Sequence, residues 1–169
     1  MKTRPDCIKH CDELHTSQTF SYPGDPETFG TGAALARKMG MQRIAVNYEV
    51  LQPGDRTSWP HAHSVEEEFV FVLEGRPQAW IDGEIYDLGP GDCVSFPPGT
   101  GQAHCIINND KEIVKLIVVG ERDPAGDKIY YPKHPKRNEE MKTRGFYWEG
   151  HPEPKLGSHD GWSDRKRPR

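Results

Sequence analysis

Between residues 43 and 120 the chain reads as a series of short β-rich runs: "RIAVNYEVL", "EFVFVLEG", "PQAWIDG", "EIYDL", "CVSFPP", "AHCIINN" and "EIVKLIVVG". Gly, Pro or Asp breaks separate them. Runs this short and this regularly interrupted bury a core by folding into an antiparallel sandwich or barrel. The expected fold class is all-β. Asp82-Gly83 lies between two runs, where a two-residue hairpin loop needs positive φ and Gly supplies it readily. Gln52-Pro53-Gly54 and Gly89-Pro90-Gly91 read as turns closing a strand, because Pro presets φ and Gly tolerates left-handed angles. The stretch "GTGAALARKMGM" is expected to form a helical turn or two. Its "GTG" is not a dinucleotide fingerprint, since no strand precedes it and the third spaced glycine is missing.

The flanks differ from this centre. Residues 1–35 are polar and rich in turn formers, and residues 122–169 are rich in proline and charge. We read residues 1–35 as an N-terminal arm, 36–121 as the barrel and 122–169 as a C-terminal extension, with no core in either end. The chain's 169 residues suit one domain with arms. A net charge of -4 gives no basic face for nucleic acid, and Arg165, Lys166, Arg167 and Arg169 read as a solvated tail. The opening "MKTRPDCIKH" lacks the apolar stretch of a signal peptide, and no run approaches the ~18 apolar residues of a membrane span. No membrane association and a cytoplasmic location are expected. Cys7, Cys11, Cys93 and Cys105 are too few for a disulfide scaffold and read as thiols of a reducing compartment.

In "FVFVL" both faces of a strand are apolar, whereas a sheet with one wet face would alternate. Either a terminal arm or a second subunit must cover the second face. A homodimer is the expectation.

The chemistry concentrates in "SWPHAHSVEEEFVFVLEG", Ser58 to Gly75. Alternate residues of an extended chain point the same way, so His61 and His63 can present both imidazoles to one point, and a metal ion is the natural occupant. Gly54, six residues, His61-Ala62-His63, four residues, Glu68, six residues and Gly75 form one pattern. Gly91, five residues, Pro97-Pro98-Gly99, four residues, His104, three residues and Asn108 form a second. Together they resemble the two motifs of the cupin superfamily, with a first gap longer by one residue and a Gly99-to-His104 gap longer by two. The resemblance covers about half the chain.

It implies a cupin double-stranded β-helix, a jelly-roll-like barrel, with His61, His63, Glu68 and His104 converging on one divalent transition metal. Imidazole and carboxylate suit Fe, Mn, Ni, Co or Zn. Simple alternation from His63 picks Glu67 if the strand is continuous, whereas the resemblance picks Glu68, with a turn at Ser64-Val65 resetting the parity. Glu67 then becomes a solvent-facing group or one that orients a ligand. Four protein ligands on a six-coordinate ion leave two positions for substrate, water or dioxygen.

Arg56 and Trp59 are placed at the barrel mouth. Arg56 is either a clamp for a substrate carboxylate or a plain loop arginine, and Trp59 either a substrate contact or loop packing. Alternation from His104 turns Gln102, Ile106 and Asn108 inward; Gln102 is a candidate substrate contact and Asn108 a structural position. Cys105 turns away from the metal and reads as a small buried hydrophobe. Cys7, His10, Cys11 and His15 could share one helical face, but four ligands on one short helix wrap poorly around zinc. Phe146, Tyr147 and Trp148 are expected to anchor the C-terminal arm on the barrel or on a partner subunit.

The chain has neither a Gly-rich phosphate loop followed by Lys-Ser/Thr nor a serine nucleophile elbow. The function expected from the resemblance is a metal-dependent enzyme acting on a small polar metabolite, of dioxygenase, isomerase or decarboxylase type. The alternative is a non-catalytic module that binds a sugar-like molecule or only the metal. A buried second carboxylate or tyrosine near the ion would favour catalysis; an all-apolar lining would favour binding.

Overall fold

The structure, a computed structural model, describes residues 4–167. In chain order its elements are α1 (Cys11–Leu14), β1 (Thr31–Ala34), α2 (Leu35–Lys38), β2 (Ile44–Leu51), β3 (Ala62–His63), β4 (Glu68–Glu74) and β5 (Gln78–Ile81). There follow β6 (Glu84–Asp87), β7 (Cys93–Phe96), β8 (His104–Ile107), β9 (Val114–Glu121), β10 (Ile129–Tyr130) and α3 (Pro135–Thr143). The strands form antiparallel sheets of order β1-β2-β9-β4-β7, β6-β5-β8 and β10-β3. The fold is the mostly-β, cupin-type barrel that the resemblance implies. Among the described residues no helix is long and apolar enough to cross a membrane.

The barrel core follows from strand alternation. Leu51 of β2, Val70 and Val72 of β4, and Val114 and Leu116 of β9 point inward and meet Ala79 and Ile106 of the smaller sheet. The hairpin between β5 and β6 turns through Asp82 (φ 48°) and Gly83 (φ 88°), both left-handed, the geometry expected of Asp-Gly. Gly83 has a second reason to lack a side chain: an added Cβ would lie 2.5 Å from the backbone nitrogen of Gly157. The "GTGAALARKMGM" stretch divides into β1 and the single turn of α2.

The arms correct the sequence reading. β1 pairs along its whole length with β2, so the larger sheet begins inside residues 1–35. The two ends also contain a core of their own: Tyr22 and Phe29 pack with Trp59, Tyr131 and Met141. A polar arm with scattered aromatics has no periodicity to reveal this, because its partners lie about a hundred residues away. Trp148 and Leu156 cover the smaller sheet at Trp80, Cys105 and Ile107, as an anchoring arm should, and Tyr147 packs on the aromatic core. Phe146 does not share that role and is 49% exposed. The basic end is not simply a solvated tail, since Lys166 pairs with the buried Asp55 and Arg167 with Asp160 and Asp164. Arg169, like Met1, Lys2 and Thr3 of the opening stretch, lies outside the described residues.

Arg56 and Trp59 also sit differently from expectation. Arg56 is 1% exposed. Its Nε and Nη2 each donate to Glu27 at 2.7 Å, Nη1 donates to the carbonyl of Gly161, and the guanidinium lies 4.3 Å from the Trp162 ring. Trp59 donates to Glu27 at 3.0 Å and is sandwiched between Tyr22 and His134 at ring separations of 4.1 and 4.0 Å. With each of its three nitrogens bonded to the arms and its surface almost wholly enclosed, Arg56 joins both arms to the barrel and is not presented to a substrate.

Truncation by Arg56→Met should therefore destabilise the protein by about 3–5 kcal/mol, because Glu27 stays buried without its counter-charge. Arg56→Lys should also destabilise it, since a single ammonium cannot reproduce the fork. Urea denaturation followed by circular dichroism reads the change, and adding Glu27→Gln to Arg56→Met should recover part of it.

Candidate metal centre

The first ligand segment runs from a bridge at His61, paired with His104, into the two-residue strand β3. The chain then bends at Ser64 and Val65 before entering β4 at Glu68. That bend resets the strand parity, so Glu68 joins the histidines inside while Glu67 is exposed outside. Asp127, in the loop before β10, holds the bend. Its Oδ2 accepts from His63 Nδ1 at 2.6 Å, and its Oδ1 accepts from Val65 N at 2.9 Å, Glu66 N at 3.2 Å and Ser64 Oγ at 3.3 Å.

The four expected ligands meet at one carboxylate oxygen. Glu68 Oε2 lies 2.8 Å from His104 Nε2, 3.4 Å from His61 Nε2 and 3.8 Å from His63 Nε2. His61, Glu68 and His104 offer ligand atoms that all lie within 4.8 Å of one another; His63, with Glu66 and Asp127, makes an adjoining group of the same kind. Phe96 stacks on His104 at 3.5 Å and fixes the plane of that ring.

The opposite edges of the imidazoles decide what the site can hold. His61 Nδ1 donates to the carbonyl of Trp59 at 2.8 Å, His104 Nδ1 to that of Gln102 at 3.1 Å, and His63 Nδ1 to Asp127. A carbonyl or carboxylate can only accept, so each Nδ1 carries the proton and each neutral ring turns its Nε2 lone pair towards Glu68. Three lone pairs facing a carboxylate repel unless a cation or added protons stand between them. The residues thus fit a divalent transition ion held by three nitrogens and one oxygen.

Burial works to raise the Glu68 pKa, but where added protons rather than a cation stand between the rings and the carboxylate, hydrogen bonds from the Nε2–H groups of His104 and His61 hold it well below the usual carboxylate range. Burial lowers the pKa of His61. His63 is also buried, yet the bond to Asp127 and the surrounding carboxylates raise it. Burial opposes ionisation of Asp127, and its bond from His63 overrides this and brings it to about 2. Burial pushes Glu66, 3.6 Å from His63, up to about 7.

Sequence reasoning missed Asp127. It lies 64 positions from His63 in the proline-rich extension, where nothing in the spacing marks it. The orienting role left open for Glu67 falls instead to Asp127, with Glu66 close by. Gln102 is exposed, and it lines a small enclosed cavity with His63, Glu66, Thr100 and His104. Asn108 is fully buried and structural: its amide donates to the carbonyls of Leu51 and Glu112, both at 2.9 Å. Cys105 is buried, its thiol pushed up to about 12 by desolvation. Cys7, His10, Cys11 and His15 do not form a set: His15 bonds Thr31 at 3.1 Å, and only His10, Cys11 and Asp12 cluster, at the surface.

A family model described as "Cupin domain" matches residues 47–120. A sugar phosphate isomerase of the cupin superfamily from Silicibacter pomeroyi superimposes with a TM-score of 0.64 at 30% identity, over 71% of this chain and 78% of that one. The polyketide synthase CurC of Streptomyces cyaneus is 37% identical over 74 residues, 44% of this chain and 45% of that protein. Quercetin 2,3-dioxygenase of Bacillus subtilis is 27% identical over 134 residues, 73% of this chain and 39% of that enzyme. The chain thus spans less than half the length of these two curated relatives.

If Asp127 fixes the tautomer of His63, Asp127→Asn should weaken metal binding by roughly 10–100-fold. Chelator competition with Zn(II) or Mn(II) measures this. Unchanged affinity would show that His63 does not depend on this partner.

Proposed function

This chain belongs to the cupin superfamily, and from that premise we propose that it is a metal-dependent enzyme that transfers a proton on a small, uncharged, hydroxy- or carbonyl-bearing metabolite. The observation that carries this reading is the convergence of three Nε2 lone pairs on Glu68, each set by an acceptor at Nδ1. When bound there, a divalent transition ion supplies Lewis acidity and, as Fe(II), an affinity for dioxygen.

Turnover rather than storage is supported by a second carboxyl in the barrel. Glu49 of β2 shares the inward parity of Leu51 and lines a cavity of about 230 Å³ with Asn47, Thr57 and Phe29. It has no hydrogen-bond partner among the described residues. Burial, reinforced by the charge of Glu68, pushes it up to about 7. A carboxyl that is half ionised near neutral pH can both take and return a proton, the requirement for general acid–base catalysis. Tyr131, whose ring lies 5.9 Å from His61, does not compete for this role, because burial raises the pKa of its hydroxyl above the ordinary tyrosine value.

The substrate class follows from charge. Among the described residues lining the cavity at His63 and His104 and the one at Glu49, none is Lys or Arg, whereas Glu66 and Glu49 are present. A phosphate or carboxylate would meet two acidic side chains and no Lys or Arg to offset them, so the phosphate named for the Silicibacter relative is not carried over. An uncharged molecule with adjacent oxygens could occupy the two open coordination positions. One observation favours the non-catalytic module instead: the cavity bounded by His63, Gln102 and His104 is enclosed and small, so a bulky substrate needs another approach.

Elemental analysis of the purified protein should find about one transition ion per chain, largely lost in His61→Ala and His104→Ala. Screening uncharged hydroxycarbonyl compounds under air and under nitrogen then finds the substrate. Glu49→Gln should keep the metal and lower turnover by roughly 10²–10⁴-fold. A second readout needs no substrate. The raised pKa means that Glu49 contributes stability below its ordinary value of 4.5 and loses it as the pH rises through about 7. Chelator-stripped Glu49→Gln should therefore melt higher than the parent at pH 8, with the gap narrowing towards pH 5.

A further inference from the structure

We propose that the substrate is recognised in the space between the N-terminal arm, β1 and β2, which it enters past Gln18, and that the amide of Asn47 is the contact that selects it. This rests on the reading of the Glu49 cavity given above and extends it to residues that bind rather than react. Asn47 and Glu49 break the pattern of their sheet. Across from them stand Val118 and Leu116 of β9, and beyond these Val70 and Val72 of β4, all packed in or against the core. Two polar side chains in such a row cost stability unless something pairs with them. Among the described residues neither has a side-chain hydrogen bond, and both line the cavity of about 230 Å³.

On the other side of β2 the space before them is left open. β1 sets Gly32 opposite Glu49 and Ala34 opposite Asn47, so nothing larger than a methyl group stands there. A side chain at Gly32 is excluded by the backbone, because its Cβ would run into the carbonyl of Tyr48. The remaining wall is the N-terminal arm. Thr16, Gln18 and Phe20 all line the cavity, at the two-residue spacing of an extended segment facing one way. Both ends of that segment are fastened: Thr16 N donates to the Gly32 carbonyl at 3.0 Å, and Phe29 N donates to the Phe20 carbonyl at 2.8 Å. Gln18, between them, is exposed, and its side chain has no hydrogen bond among the described residues. The cavity at His63 and His104 is enclosed, so the arm side offers the way in.

The lining defines the ligand. The Asn47 amide offers both a donor and an acceptor, which an adjacent hydroxyl and carbonyl satisfy together. The Thr57 hydroxyl accepts from Ile106 N at 3.1 Å and keeps its own proton for a ligand, and that bond ties the cavity wall to the strand carrying His104. Phe20 and Phe29 give the cavity an apolar side. Glu49 is the one charged group among the described lining residues, so an anion is disfavoured. The ligand is thus an uncharged hydroxycarbonyl compound with a hydrocarbon face, its oxygens towards Asn47, Thr57 and Glu49. A site built to hydrogen-bond such oxygens rejects an analogue that lacks them, because its own polar groups are then left unpaired.

Thiol labelling of full-length, metal-loaded Asn47→Cys tests the route without a substrate, read by peptide mass spectrometry against the exposed Cys93. Uncharged methyl methanethiosulfonate should label position 47, and its anionic sulfonatoethyl analogue should do so roughly tenfold more slowly relative to Cys93. Adding Gln18→Trp should slow the uncharged reagent roughly tenfold by filling the mouth, whereas Thr100→Trp, at the enclosed cavity, should not. If Asn47→Cys misfolds, modification of Glu49 by dicyclohexylcarbodiimide at pH 6, in the parent and in Gln18→Trp, gives the same comparison. On the metabolite found by the screen above, Asn47→Leu should raise KM roughly tenfold or more with a smaller change in kcat, whereas Glu49→Gln acts on kcat. Labelling that ignores Gln18→Trp, or that Thr100→Trp slows instead, would overturn the assignment even with metal-dependent turnover intact, as would an unchanged KM in Asn47→Leu. The expected labelling pattern and KM change together with normal turnover in Glu49→Gln would support the recognition site and remove only the proton-transfer role of Glu49.

Discussion

The carboxylate of Asp127 is the fixed point from which the site is built. It accepts four hydrogen bonds, from an imidazole, a hydroxyl and two backbone amides, all within the four residues 63 to 66. Those bonds hold a bend in a chain that would otherwise continue as an extended strand. Without the bend, alternation would turn Glu67 inward and Glu68 out, and the three imidazoles would face a different side chain. The C-terminal extension is therefore part of the site. It supplies Asp127 and then β10, which pairs with β3 and fixes the segment carrying His63.

The fold was legible because its signals are local. A two-residue period, Asp-Gly at a hairpin and Pro-Gly at turns each act within a few positions, and the spacing of His61, His63, Glu68 and His104 lies within two short motifs. What could not be read depends on contacts distant in sequence. The Arg56–Glu27 fork spans 29 positions and Trp80 to His159 spans 79, and neither partner stands out locally. Arg56 shows how composition misleads: an arginine just before a ligand loop looks like a substrate clamp until its partner is seen. At Cys7 to His15 the case against a zinc set is local: four ligands crowd one short helix, and the α-helix there spans only Cys11–Leu14.

The aromatic core outside the barrel explains how polar ends become ordered. Tyr22 stacks on Trp59, Trp59 on His134, and Arg137 lies 5.1 Å from the Tyr22 ring. Aromatic rings bury large areas with few rotatable bonds, so a handful of them can hold segments that have little regular structure. Trp59 belongs both to this cluster and, through its carbonyl, to the site, where it accepts from His61. Packing of the arms thereby fixes the orientation of one ligand ring.

Arg56 and Glu49 together show how burial sorts charged groups into different roles. Arg56 is almost fully enclosed, and Glu27, Gly161 and Trp162 engage its three nitrogens and its flat face. Its charge is neutralised where it sits, and so it stabilises structure. Glu49 lies on β2 with no hydrogen-bond partner among the described residues, close enough to Glu68 to be affected by that charge. A structural carboxyl would have acquired a donor, as Glu27 has from Arg56 and Trp59 and Asp127 has from the Ser64 bend. One left without a donor stays protonated to higher pH and exchanges its proton readily, which is of use to a reaction and not to a fold.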